Sequence, residues 1–323
     1  MERLSAAGGR PSRLLWSVLL VCLGQACGVP DAAAQEVPAP DPGAEPPVRI
    51  DTISGDSVHP SACVAGNGDV LVVYSRGKRL AADMRLCRSS DGGKTWGEPL
   101  PLTPFADGTA SVFPGGLNRL RDGRIVLSWS GPVDGRGRSP WFSISDDHGM
   151  TWSAPEAVPL SATTIFDCHR YGFLELADDT WIFSLWNRAI RYDRTSGKAE
   201  PLDDVRHAGM VPMVRTADGT LVSGGTSNKR ENGLRSTDGG KTWQPLYAFG
   251  FLNHGCPFDL TVLDNGWIVH TTIRYQLLAD AKHCPETGFQ MVISRDDGRT
   301  WDWPHAATIY DKGRAIQAPR GGW

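Results

Sequence analysis

The sequence predicts an all-β protein built as a β-propeller. Three observations predict it: an octapeptide present four times, a tight-turn hairpin signal present five times, and a composition rich in turn formers and tryptophan. Gly and Trp number 37 and 12 in 323 residues, while charged residues make up only 21%. Such a chain suits short strands joined by sharp turns better than helices. It is also long enough to bury a sizeable core.

The octapeptide reads SSDGGKTW at Ser89–Trp96, SDDHGMTW at Ser145–Trp152, STDGGKTW at Ser236–Trp243 and SRDDGRTW at Ser294–Trp301. The starts lie 56, 91 and 58 residues apart, so the middle gap holds about two periods. A degenerate copy is expected near residue 190, where Ile190–Leu202 keeps Asp193 and Gly197 but lacks Thr-Trp. Between the boxes an Asp/Asn-Gly-type turn repeatedly precedes an apolar run, at Gly66–Ser75, Arg121–Ser130, Ala177–Trp186, Ala217–Thr226 and Asp264–Ile273. That combination is a hairpin signal. Each unit therefore reads as about four strands in roughly fifty residues, too little to bury both faces of its own sheet; stacking such sheets radially solves the problem.

The box itself reads as scaffold. Its Ser and Asp can bond local backbone groups where the chain reverses. Gly93, Gly149, Gly240 and Gly298 share one slot suited to positive φ, and the Trp offers an apolar plate for packing between sheets.

At the N-terminus, Arg3, Arg10 and Arg13 precede the apolar run Leu14–Gly24, which is too short to span a bilayer, and the small-residue stretch Asp31–Gln35 follows. Residues 1–34 are expected to be an export signal cut after Ala34, with lipidation at Cys27 as the alternative; residues 35–47 form a Pro-rich linker, and 48–323 form the propeller. The expected location is secreted or periplasmic. Cleavage takes the net charge from −3 to −4, which gives no electrostatic case for nucleic acid or an anionic membrane. Five cysteines remain: Cys63, Cys87, Cys168, Cys256 and Cys284. Cys256 with Cys284 is the one bridge considered; no metal or other cofactor is expected, because His254, Cys256, His283 and Cys284 lack a doubled Cys-x-x-Cys spacing.

The four boxes resemble the Asp-box, or BNR, repeats of the sialidase superfamily, over about residues 48 to 323. The resemblance implies a six-bladed propeller with its boxes on the outer rim, away from the active site. The segment QAPRGGW, Gln317–Trp323, looks like another blade opening, so the sixth blade is expected to be incomplete, with closure of five blades by Val48–Ser54 as the alternative. By the same resemblance, Arg76 and Asp83 fall where the family places a substrate-binding Arg and the acid/base Asp. Other positions depart from the pattern. Val58-His59-Pro60 stands where the family has Arg-Ile-Pro, Met210 stands near the position of the Glu that activates a Tyr nucleophile, and Tyr310 lies too early to be that Tyr. Arg230, Arg274 and Arg320 remain available for a carboxylate.

Propeller sites form where the innermost strands begin. His59, His169 with Arg170 and Tyr171, His207, His254 and Arg320 lie at such starts. Asp83, His169 and Tyr171 are thus the candidate catalytic groups, and Arg76, His59, Arg170, His207, His254, Arg274 and Arg320 the candidate substrate contacts. Cationic and titratable groups converging in this way suit an acidic sugar, with Arg as a bidentate grip and Asp or His moving protons. Glu175 is expected to face solvent, and Trp129, Trp141, Trp181 and Trp186 to pack between blades. Three functions fit: a secreted sialidase-like glycoside hydrolase acting as a monomer on extracellular acidic glycans, a non-catalytic glycan- or protein-binding propeller, and a uronate lyase.

Overall fold

A computed structural model of the chain describes Val48 and residues 50–51, 57–76, 83–102, 113–133, 137–160, 172–176, 179–185, 189–202, 212–224, 233–246, 259–275 and 286–316. The expected export signal, the linker and the segment after Ile316 lie outside the described residues.

The described strands form five four-stranded antiparallel sheets, one per repeat. Blade 1 comprises β1 (Ser57–Val64), β2 (Val70–Arg76), β3 (Asp83–Ser89) and β4 (Leu100–Leu102). Blade 2 comprises β5 (Phe113–Arg119), β6 (Ile125–Val133), β7 (Gly137–Ser145) and β8 (Glu156–Ala157). Blade 3 comprises β9 (Phe173–Glu175), β10 (Thr180–Ser184), β11 (Ala189–Asp193) and β12 (Lys198–Leu202). Blade 4 comprises β13 (Met213–Arg215), β14 (Leu221–Gly224), β15 (Gly233–Ser236) and β16 (Gln244–Pro245). Blade 5 comprises β17 (Asp259–Val262), β18 (Ile268–Tyr275), β19 (Glu286–Ser294) and β20 (Ala307–Ile316), with a 3₁₀ turn at Trp303–His305. The degenerate repeat is real: Asp193 caps the turn from β11 to β12, accepting from Thr195 N at 2.8 Å and from Ser196 Oγ at 2.7 Å.

First strands of neighbouring blades pack in chain order, β1 on β5, β5 on β9, β9 on β13 and β13 on β17, so they line the axis. No comparable packing joins β17 back to β1 among the described residues. Ile50 and Asp51 instead cover the face of blade 1 turned away from blade 2: Ile50 packs with Val72, Tyr74 and Cys87, and the Tyr74 hydroxyl donates to Asp51 Oδ2 at 2.5 Å.

Each full box folds alike. In the first, Ser89 Oγ donates to Asp91 Oδ1 at 2.8 Å and accepts from Gly93 N at 2.8 Å, while Asp91 also binds Thr95 through N and Oγ1 at 2.9 and 2.6 Å. The side chains thus replace ladder bonds lost at the reversal. The box also grips the preceding blade. A Cβ on Gly149, at φ +81, would stand 2.7 Å from Leu71 Cδ1 of blade 1, and one on Gly240, at φ +82, would stand 3.0 Å from Ile182 Cδ1 of blade 3. Trp152, Trp243 and Trp301 extend these contacts into the cores between blades 1 and 2, 3 and 4, and 4 and 5.

At two blade junctions an arginine bonds the neighbouring box from behind, while Arg235 at a third donates to Thr220 Oγ1 of its own blade at 3.2 Å. Arg88, Arg191 and Arg235 are the cross-strand partners of Leu71, Ile182 and Val222, the residues on which the next blade's box glycine rests. Arg88 Nη2 donates to the carbonyl of His148 at 2.8 Å, and Arg191 Nη2 to that of Gly239; both acceptors sit at the left-handed turn position, φ 61 and 72. Blade 2 faces blade 3, which has no full box, and there the corresponding partner of Val126 is Ile144. Arg191→Ala is expected to cost about 1.5–3 kcal/mol, the range for hydrogen bonds from charged groups. Chemical unfolding checks this, with Lys198→Ala, whose ion pair with Glu200 is exposed, as the milder control.

Candidate functional site

Antiparallel order gives each blade two unlike ends. The hairpin turns and the boxes occupy one; the starts of β1, β5, β9, β13 and β17, with the ends of the second strands, occupy the other. The two ends of β3 are six residues apart, or about 20 Å at the usual rise per residue. The boxes are therefore remote from any chemistry at the axis mouth.

Arg76 and Asp83 lie at that mouth. They form the last register pair of β2 with β3, and Ser57 at the start of β1 pairs with Arg76 in turn. His59 follows in the irregular stretch of β1 between Val58 and Ser61. Blade 1 thus brings His59, Arg76 and Asp83 to one end of one sheet. Arg274 reaches the same end of blade 5, beside Gly288 near the close of β18. His169, Arg170, Tyr171, His207, His254 and Arg320 lie outside the described residues, as do Met210, Trp186, Cys168, Cys256 and Cys284.

Inner strands are held close enough for one mouth to form. Leu117 N donates to Ser61 Oγ at 3.0 Å from blade 2 to blade 1, and Asn118 Nδ2 donates to the Phe173 carbonyl at 2.8 Å from blade 2 to blade 3. A Cβ on Gly116 would lie 2.8 Å from Gly172 Cα, so this approach of β5 to blade 3 tolerates no side chain.

Several candidates fall elsewhere. Glu175 does not face solvent as expected. It is half-buried at the box end of β9, where its Oε2 accepts from Arg121 N of blade 2 at 3.0 Å, and burial raises its pKa. It is a bracket between blades. Trp129 and Trp181 are fully buried and Trp141 packs against the core between blades 1 and 2, which leaves these rings to packing rather than sugar stacking. The Cys63 thiol is pushed up to about 12 by burial, and Cys87 is buried and also raised, so both are unreactive thiols.

One acid escaped the sequence reading. Asp259 opens β17, the innermost strand of blade 5, at the axis mouth. Desolvation by the surrounding protein raises its pKa to about 6, against the opposing hydrogen bond from Leu260 N at 2.9 Å. Beneath it, buried His270 has Nδ1 3.3 Å from the Asp259 carbonyl oxygen, and burial lowers its pKa to about 4, so the ring is neutral. The available signal was an Asp at the first position of an apolar inner strand, in CPFDLT, where the other inner strands begin with Ser57, Phe113, Phe173 and Met213.

These two groups oppose each other in pH dependence. Neutral His270 binds fewer protons than its unfolded counterpart between pH 6.5 and about 4, so stability falls as pH falls through that window. Asp259 binds more protons than its unfolded counterpart between about pH 6 and 3.8, so its contribution rises as pH falls. Thermal midpoints are expected to stay nearly level from pH 6.5 to 4. Below that they should drop, as protonation reaches the box carboxyls of Asp91, Asp147 and Asp238, which their Thr and Ser bonds hold well below the usual range. In Asp259→Asn the His270 slope stands alone, and midpoints should begin to fall near pH 6.5.

Repeated four-stranded sheets, boxes at one end and a polar mouth at the other define the class: a β-propeller of box-bearing blades. The BNR/Asp-box repeat family matches residues 143–154 and 234–245. The chain thus carries BNR/Asp-box repeats on a propeller fold similar to that of sialidases. In sequence it is similar to a sialidase of Bacteroides fragilis, with 27% identity over 201 residues, 57% of this chain and 34% of that protein; it spans about a third of that relative's length. In fold it is similar to the NanB sialidase of Streptococcus pneumoniae, with a TM-score of 0.58 and 12% identity over 83% of this chain and 64% of that one. It is likewise similar to an alpha-L-arabinanase of Penicillium chrysogenum crystallised with arabinobiose, with a TM-score of 0.54 and 16% identity over 76% and 80% of the two chains. At such identities the structural likeness is one of fold.

Proposed function

We propose that the protein is a secreted sialidase-like glycoside hydrolase acting on extracellular acidic glycans. The observation that carries this reading is the terminal register pair of Arg76 with Asp83, which puts the position of a residue suited to a substrate carboxylate opposite that of one suited to proton transfer, at the end of the sheet remote from the boxes. Sialidase is also the name of its Bacteroides fragilis relative, and the fold recurs in proteins that handle glycans. Export would bring the chain to such glycans, and Arg274 holds a position at the corresponding end of blade 5.

A second reading, a non-catalytic glycan-binding propeller, is favoured by Met210 and by Val58-His59-Pro60, which stand where the resemblance calls for a Glu and an Arg. One panel separates the readings. The protein is incubated with sialyllactose, an arabino-oligosaccharide and a uronate polysaccharide, following released sugar and the absorbance of unsaturated uronate. Release of sialic acid is the expected result. Binding without turnover would establish the second reading, and unsaturated product would replace both with a lyase.

A further inference from the structure

The hairpin turns at the box end match one another by their hydrogen bonds. They open at Ala65, Leu120, Leu176, Thr216 and Leu263, each of whose N–H groups bonds the carbonyl four residues on. The next residue in blade 2 is Arg121, and its N–H donates to the carboxylate of Glu175, at the end of β9 in blade 3. In blade 1 the corresponding N–H belongs to Gly66 and has no bond among the described residues. The residue that matches Glu175 at that junction is Arg119, at the end of β5. A cation thus stands where the next junction has a carboxylate. Arg119 is exposed and has no hydrogen bond or ion pair among the described residues.

A second unpartnered group converges on the same turn. A Cβ on Gly66 would stand 3.1 Å from His148 Cε1, 3.4 Å from His148 Nδ1 and 3.6 Å from Arg119 Nη2, so the imidazole and the guanidinium flank this glycine. The backbone of Gly66 lies outside the left-handed region, and the matching turn residues are Arg121, Ala177, Ala217 and Asp264. Space beside His148 and Arg119, rather than backbone conformation, therefore selects glycine here. His148 Nδ1 is buried without a partner, on a residue whose left-handed slot, φ 61, is filled by Gly92 and Gly239 in other boxes. An orphaned buried nitrogen costs free energy that a bound acceptor removes. Asp69, the acid of this turn, is already held by Arg88 at 2.6 Å and by Asn67 at 2.9 Å.

We propose that the junction of blades 1 and 2 at the box end is a binding site for a carboxylate-bearing ligand, which takes the place that Glu175 holds between blades 2 and 3. The carboxylate accepts from Gly66 N–H, from the Arg119 guanidinium and from His148 Nδ1 in its N–H form. Charge-assisted bonds of this kind are about twice as strong as neutral ones. Because Arg88 and Asp69 cancel, Arg119 supplies the charge that one carboxylate balances. The chain itself builds the filled form of this contact from Glu175, which favours a carboxylate over a sulfate or phosphate. The site lies at the opposite end of the blades from the axis mouth, so it anchors a ligand rather than transforms it, and it does not depend on the hydrolase reading.

The test follows the Gly66 amide signal by NMR in the isotope-labelled full chain during titration with sodium glucuronate, sialic acid and sodium propionate, against sodium chloride at matched ionic strength. A saturable shift with any of the three acids is expected, and their order of affinity tells whether a sugar acid or a simple carboxylate is the source. Arg119→Ala should weaken binding about 10–100-fold, the factor for a hydrogen bond from a charged group. Arg119→Glu should fill the site from within, abolishing the response while the thermal midpoint stays at or above that of the wild type. His148→Gly keeps the box, since glycine fills that slot elsewhere, and should weaken binding without unfolding the protein. A Gly66 signal that none of the acids moves, that chloride moves equally, or that still responds in Arg119→Glu overturns the site. Each of those results leaves the hydrolase reading untouched.

Discussion

Trp181→Ala is expected to destabilise the protein by about 3–5 kcal/mol, the usual cost of removing a large aromatic side chain from a core. The reason lies in the blade that lacks a full box. Between other neighbouring pairs, a box Trp and a close-packed glycine join one blade to the one before it. Blade 3 has neither, and an aromatic cluster takes their place. Trp181 is fully buried, stacks on Phe173 with ring centroids 4.0 Å apart, and meets Phe142 of blade 2 edge-on at 5.0 Å. Tyr192 and Phe183 lie around it at 6.2 and 6.3 Å, and the Arg194 guanidinium sits 4.7 Å from its centroid. Truncation leaves a cavity whose lining belongs to two blades, so it loosens their junction as well as one sheet. Equilibrium urea unfolding checks the magnitude. Trp96→Ala, whose ring is only partly buried against blade 1 and the Ile50 segment, should cost less. Equal losses at the two positions would mean that blade 3 is not held by this cluster.

The propeller was legible in the sequence because its signals are local and periodic. An Asp-Gly turn before an apolar strand and a Ser-x-Asp-x-Gly-x-Thr-Trp reversal each act within a few residues, and repetition multiplied them. Even the degenerate copy at Asp193 could be placed by arithmetic. What one blade says to the next was not legible. The arginines at positions 88 and 191 become meaningful only when cross-strand register sets them behind Leu71 and Ile182, and when the following box presents a carbonyl to them. Glu175 shows the same limit, since its partner Arg121 N is 54 residues away on another blade. The mouth depends on such long-range convergence still more. Arg76 and Asp83 could be found because one hairpin carries both, whereas Asp259 reads as a polar strand start until the fold brings its end of β17 to the axis.

Asp83→Asn is the catalytic change with the largest expected effect under the hydrolase reading. The substitution preserves size and stands at the end of a seven-pair ladder between β2 and β3, so loss of the acid is not confounded by loss of the sheet. A general acid contributes about 10²–10⁴-fold, and kcat for a natural sialoside should fall by that factor. The deficit should shrink for an aryl sialoside, whose leaving oxygen departs without needing a proton. Arg76→Ala should behave differently: a cation that grips the substrate carboxylate in ground state and transition state alike raises KM more than it lowers kcat. The pair of outcomes is diagnostic, because a propeller that only binds glycans would lose affinity in both variants and show no dependence on the leaving group. If Asp83→Asn instead slows natural and activated substrates equally, the residue is not donating a proton to the departing oxygen. The acid must then be sought on another blade, among groups the axis brings together rather than on the hairpin that first drew attention to it.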